Sequence, residues 1–163
     1  MVFNPSATQT TKLKRGDGAG TEVFTDIPGL TSINPIGMAR SLIDITNFDS
    51  TLREYRLAIP DGQEIAVQAW YDVADLQHKG LKDDLLSGVL RNFQMIFPLV
   101  PPQVTAAKIA FTGLVMGWNV QVEIDSVQRL SFTIKPTGNL VVTAPTAMEG
   151  FAADEDLEDA EAA

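Results

Sequence analysis

Residues 105–124 constrain this chain most: a long run rich in β-branched, aromatic and glycine residues, with charge only near its ends. It reads as strand, and a strand of that length bends or bulges, here near Gly113 and Gly117. The neighbouring segments agree. Residues 129–135 alternate Leu130, Phe132 and Ile134 against Ser131, Thr133 and Lys135. Pro136-Thr137-Gly138-Asn139 then reads as a turn into a last strand, 140–144. Upstream, the turn Pro60-Asp61-Gly62 leads into strand 63–71. Ile65, Val67, Ala69 and Tyr71 line one face of that strand, and Glu64, Ala66, Gln68 and Trp70 the other. Further strands are expected at 22–27, 30–33 and 90–97, with 41–48 as a half-buried strand and 49–60 as a charged, irregular segment.

One helix interrupts the pattern. Asp72 or Asp75 caps it, it runs to about Leu86, and Gly88 stops it. Ala74, His78, Leu81 and Leu85 share its apolar face, while Lys79, Lys82, Asp83 and Asp84 mostly lie elsewhere. Gly80 inside it costs about 1 kcal/mol relative to alanine. The expected fold is mainly β: a two-sheet sandwich or barrel with one flanking helix. Residues 1–11 form a polar arm, 12–148 the β domain, and 149–163 an acidic tail.

Composition narrows the function. With 163 residues, one domain with a real core is expected. There is no cysteine, so disulfides and thiolate metal sites are excluded. No secretory signal or membrane-length apolar run is read in it. The net charge is -9, yet seven of the 21 acids lie in residues 149–163, where there is no Lys or Arg. Residues 1–148 carry 12 basic and 14 acidic side chains, which is not the basic surface of a protein that grips DNA. The tail's like charges argue that it stays unfolded.

The search for chemistry is mostly negative. His78 is the only histidine and lies on the apolar helix face, as a packed, hydrogen-bonded residue would. The glycine loop 16–20 lacks the Gly-Lys-Ser/Thr ending of a phosphate loop. Asp44, Thr46, Asn47 and Asp49 resemble half a calcium loop, without its glycine and its final glutamate. Asp83 and Asp84 are adjacent on a helix and do not face each other as an acid/base pair would. No catalytic residue, metal or cofactor is expected.

Three segments, in order, carry a resemblance: Gly16-Asp17-Gly18 followed by residues 23–33; residues 43–50, then Arg53-Glu54-Tyr55 and the Pro60-Asp61-Gly62 turn; and Phe111-Thr112-Gly113, Gly117-Trp118 and residues 132–138. Together they resemble the major tail tube proteins of long, flexible-tailed phages, over roughly residues 12–144. The resemblance implies two packed sheets with one helix, six subunits to a ring, a continuous inner β-barrel, and rings stacked along a virion tail. It implies synthesis in the host cytoplasm and no membrane insertion. Its partners would be further copies, the tape-measure protein, and tail terminator and tail-tip proteins, with DNA passing through unbound. The family's loop to the neighbouring ring falls at about residues 49–60, so Arg53, Glu54 and Arg56 are the expected inter-ring contacts. The polar strand positions Glu64, Gln68, Gln121 and Glu123 face either the channel or outside solvent. A conduit that must not hold DNA needs a neutral-to-acidic wall, and a tail placed outside would form a negative brush. Related tubes of contractile tails, gene transfer agents or type VI secretion systems are alternatives, as is a monomeric β-barrel that binds a small ligand.

Overall fold

The computed structural model describes residues 11–34, 36–101 and 103–146. The acidic tail, and all but the last residue of the N-terminal arm, lie outside the described residues. Among the described residues eleven strands and one helix follow in chain order: β1 (Lys12–Gly16), β2 (Phe24–Asp26), β3 (Leu30–Asn34), β4 (Met38–Ala39), β5 (Leu42–Asp44), β6 (Tyr55–Leu57), β7 (Asp61–Gly62), β8 (Ile65–Trp70), α1 (Leu76–Ser87), β9 (Arg91–Ile96), β10 (Lys108–Gln121) and β11 (Arg129–Thr143). Seven of them form one antiparallel sheet in the order β2-β1-β9-β10-β11-β8-β3. The other four form two ribbons, β4-β7 and β5-β6.

The β10–β11 hairpin is the spine. Its register shifts twice, between Ala110 and Thr112 and between Val115 and Gly117, close to the two glycines that interrupt the run. Each bulge bends the pair and increases its twist. β9 pairs with the first part of β10, Lys108–Gly113, and β8 with the first part of β11, Arg129–Ile134. The two halves of the sheet therefore leave the spine at opposite ends and on opposite sides. They close over a single core. Leu13, Phe93, Met95 and Phe111 come from one half, and Ile65, Val67, Leu130, Phe132 and Ile134 from the other. The mainly β, sandwich-like fold with one flanking helix is thus present, its layers made by one bent sheet.

Two expected elements are corrected. Residues 136–139 are not a turn between strands. They continue β11 as an irregularity, with Thr137 opposite Thr112 and Val141 opposite Ala110. Gly138 takes the left-handed conformation (φ 79°) where the extra residues loop out. Pro136, which has no N–H to give, sits opposite Gly113. The proposed half-buried strand at 41–48 shrinks to Leu42–Asp44, and all of it is exposed. Among the described residues its strand partner is β6, and neither face is covered.

Helix α1 follows its sequence signals. Asp75 caps it by accepting from the Gln77 and His78 amides at 2.8 and 3.0 Å. Gly88, at φ 63°, ends it and donates back to the Asp84 carbonyl. His78 is buried, accepting from the Asp72 amide at Nδ1 and placing Nε2 3.1 Å from the Pro28 carbonyl. Asp84 departs from expectation. Its side chain is only 3% exposed and bridges Arg15 Nε at 2.6 Å and Arg91 Nε at 2.9 Å, which ties the helix to β1 and β9. Gly80 makes this possible: a Cβ there would stand 2.9 Å from the Arg15 guanidinium.

At the sheet's far edge, Lys12 holds the Asp26 carboxyl below the usual carboxylate range, with help from Lys14 and against partial burial. A lowered pKa contributes stability at neutral pH that is lost as pH falls through it. Asp26→Asn is therefore expected to destabilise modestly at pH 7 and to match the wild type in acid. Urea unfolding at both pH values checks this, and an equal loss at both would refute it.

Candidate functional site

Residues 38–62 form an arm that the body does not cover. Its base is the β4-β7 ribbon, where Met38 pairs with Gly62 and Ala39 with Asp61. The base is fixed to β11: Lys135 Nζ reaches Asp61 Oδ2 and the Gly62 carbonyl, both at 2.8 Å. Gly62 lies against the Pro136 ring, 2.9 Å from where a Cβ would stand. Beyond the base the arm is the β5-β6 ribbon, extended by Ala58 N to Ser41 O and Ile45 N to Glu54 O. Side chains shape its tip. Asp44 accepts from the Thr46 amide, Thr46 Oγ1 from the Glu54 amide, and Asn47 Oδ1 from the Asp49 amide. The contacts with Thr46 hold the Asp44 carboxyl below its ordinary range.

Although it is built on local polar contacts, the arm displays apolar groups. Phe48 is fully exposed, Leu52 81% and Ile59 87%, and Leu42, Ile43 and Leu57 are exposed as well. So many large apolar side chains left exposed on one arm of a folded domain mark an interaction site. Arg53 and Glu54 lie just before β6 and Arg56 within it, all exposed. Among the described residues, none of the three forms an ion pair. Their neighbours Phe48 and Leu52 give the segment its apolar character, and the signal for them was two large apolar residues in an otherwise polar stretch.

The second feature is a sheet half with two open edges. It comprises β3, β8, β11 and the far part of β10, each antiparallel to the next. β3 ends the sheet on one side. On the other, β9 stops at Gly113, and beyond it β10 has no further strand partner among the described residues. The inward face of this half is core. The outward face is polar: Asn119, Ser131 and Gln68 lie in one row across three strands, all exposed. In the next row Gln121 and Trp70 flank Arg129, whose guanidinium lies 5.4 Å from the Trp70 ring centre. Of the four polar positions expected together, the structure brings Gln68 and Gln121 to this face. Glu64 is exposed just before β8, at its opposite end from Gln121. Glu123 lies in the β10–β11 turn, accepting from Gln121 Nε2 at 2.6 Å.

A cleft of about 440 Å³ separates β3 from β9, lined by Thr11, Leu30, Ile33, Ile36, Met95 and Phe97 among others. It is open and carries no converging charged groups. Among the described residues, no three His, Cys, Asp or Glu side chains come together as a metal site would require, and no helix is long and apolar enough to cross a membrane.

No family model and no curated protein matches the chain. Its fold does match solved structures. The SPP1 tail tube superposes with a TM-score of 0.66 at 11% identity, over 85% of this chain and 78% of that one. The tail of an empty gene transfer agent particle, refined with C6 symmetry, gives 0.61 at 17% identity over 82% and 96%. A chain of the six-fold symmetrised baseplate of the anti-feeding prophage gives 0.67 at 8% identity over 87% and 97%. At these identities the likeness is one of fold.

Proposed function

We propose that this protein is a structural subunit of a phage-like tail tube: it closes into a ring through its open sheet edges and stacks through its arm. The two free edges of opposite direction carry this reading. In the half made of β3, β8, β11 and β10, four alternating strands leave β3 and the far part of β10 antiparallel to one another. A rotation about a ring axis preserves strand direction. β10 of one copy therefore meets β3 of the next as an antiparallel pair. Repeating the step closes a barrel and pairs both of these edges, which an isolated subunit would leave as a liability. The six-fold symmetry of the similar tail and baseplate structures makes six copies the working number.

The outward face of this half then becomes the channel wall. Its central row, Asn119, Ser131 and Gln68, is uncharged. Arg129 is occupied by Trp70 and Lys135 by Asp61. A wall of neutral amides and hydroxyls offers a passing DNA few cations to neutralise its phosphates. The same channel would hold a tape-measure protein before ejection, and terminator and tip proteins would close the stack's two ends. The protein would accordingly reside in the virion tail, act without catalysis and carry no cofactor. A monomeric ligand-binding barrel is less well supported, because it gives no role to the apolar arm.

Negative-stain electron microscopy of purified, concentrated protein tests this. Rings or tubes are the expected result, and monodisperse single particles at all concentrations would overturn the reading. Arg53→Glu with Arg56→Glu is expected to leave the fold and the rings intact by circular dichroism and microscopy while stacking is lost. Tubes of normal length would show that these arginines are not inter-ring contacts.

A further inference from the structure

The arm and the β10–β11 turn lie beyond opposite ends of the same sheet half. Asn34 pairs with Ala66 and Leu30 with Ala69. The chain therefore leaves for the arm at the end of β3 and β8 marked by Asn34 and Ile65. The β10–β11 turn lies at the other end, where Trp70, Arg129 and Gln121 share a row. The six residues of β8 separate the two ends by about 20 Å.

That turn is apolar and acidic. Val122 is 68% exposed, Ile124 95% and Val127 60%. Glu123 and Asp125 stand between them, and neither has an ion-pair partner among the described residues. A short connection with three uncovered aliphatic side chains is as unexpected in a free subunit as the arm itself. The arm offers matching chemistry: Phe48 and Leu52 for the aliphatic groups, Arg53 and Arg56 for the two carboxylates.

Building on the tube reading above, we infer that the β10–β11 turn, residues 122–127, is the docking site for the arm of the next copy along the stack. Two different surfaces at opposite ends of one subunit make a heterologous contact. Repeated along an axis it does not close on itself, so it grows a filament of rings. Ring closure through the sheet edges and growth through arm and turn are then separate contacts. The apolar groups supply affinity, and the charges set register and exclude wrong pairings. Glu123 accordingly belongs to the stacking contact, and its hydrogen bond from Gln121 holds it at the rim.

A charge exchange tests this. Glu123→Lys with Asp125→Asn is expected to leave unstacked rings, as Arg53→Glu with Arg56→Glu does. Asparagine is chosen at 125 because that residue has φ 61°, which asparagine tolerates. Combining both pairs of substitutions is expected to restore tubes. If the turn variant stacks like the wild type, or the combination still gives only rings, the turn is not the receptor, although the tube reading stands. A wild type that forms neither rings nor tubes overturns both. A second measurement does not depend on charge. The chain has no cysteine, so Leu52→Cys with Ile124→Cys introduces one thiol at each end. Oxidation of assembled tubes is expected to give a ladder of disulfide-linked copies on a non-reducing gel. Intact tubes that yield no ladder would place the two ends apart and overturn the inference.

Discussion

Asp84→Asn is expected to destabilise this protein by about 3–5 kcal/mol, the range for removing one partner from a buried ion pair. The amide keeps the size of the carboxylate but not its charge. Arg15 and Arg91, whose side chains are 12% and 21% exposed, would be left facing one another across a neutral group. The loss is large against a total stability of roughly 5–15 kcal/mol, and a thermal midpoint lower by about 10 °C or more should follow. Circular dichroism melting measures it. A midpoint within about 2 °C of the wild type would show that solvent already screens the two arginines. A second variant distinguishes charge from packing. Arg15→Met, Asp84→Leu and Arg91→Met together remove every buried charge at similar volume, and such replacements are often neutral or stabilising. The triple variant is therefore expected to be more stable than Asp84→Asn alone. Gly80 bears on the same point, since its missing Cβ is what lets the Arg15 guanidinium pass the helix.

That cluster also shows what the sequence could and could not reveal. The longer strands, their core faces and both helix caps are legible, because they follow from a period of two, a period of 3.6 and a handful of capping residues, whereas β1 and β6 are not. Ile65, Val67, Ala69, Phe93, Leu130, Phe132 and Ile134 are all buried as their alternation indicates. Asp84 falls away from the apolar helix face by sequence pattern, because a charge reads as exposure. The signal lay in its partners: Arg15 and Arg91 occupy the same parity as Leu13 and Phe93, so a charge at each of two inward positions called for a counter-ion. The arm failed in the opposite sense. Leu42, Ile43 and Ile45 look like strand residues seeking a core, but nothing among the described residues covers them. A pattern of apolar residues records that a surface is to be buried, not which copy of the chain buries it. The same ambiguity hides the exposed apolar end of the β10–β11 turn, where Val122 and Ile124 read as the end of a strand that stops at Gln121.

Phe48→Ser with Leu52→Ser is expected to abolish tubes while leaving the isolated subunit as stable as before. In the subunit these side chains are already in water, fully exposed and 81% exposed respectively. Surface substitutions of this kind change stability by no more than about 0.5 kcal/mol. In a stacked pair they would be buried, and each fully buried side chain of this size contributes about 1.5–3 kcal/mol. Losing both removes roughly 3–6 kcal/mol from each arm contact, or about a hundred- to ten-thousand-fold in its affinity. Rings stacked through several such arms at once multiply the loss, because every arm in a ring carries the same two substitutions. Core and arm variants should therefore separate cleanly. Asp84→Asn lowers the melting temperature before assembly is considered, whereas the arm variant melts like the wild type and appears as rings by electron microscopy. If the arm variant instead melts well below the wild type, Phe48 and Leu52 pack within their own subunit in solution. If it melts normally and still forms long tubes, the stack is held by other surfaces and the arm serves another contact.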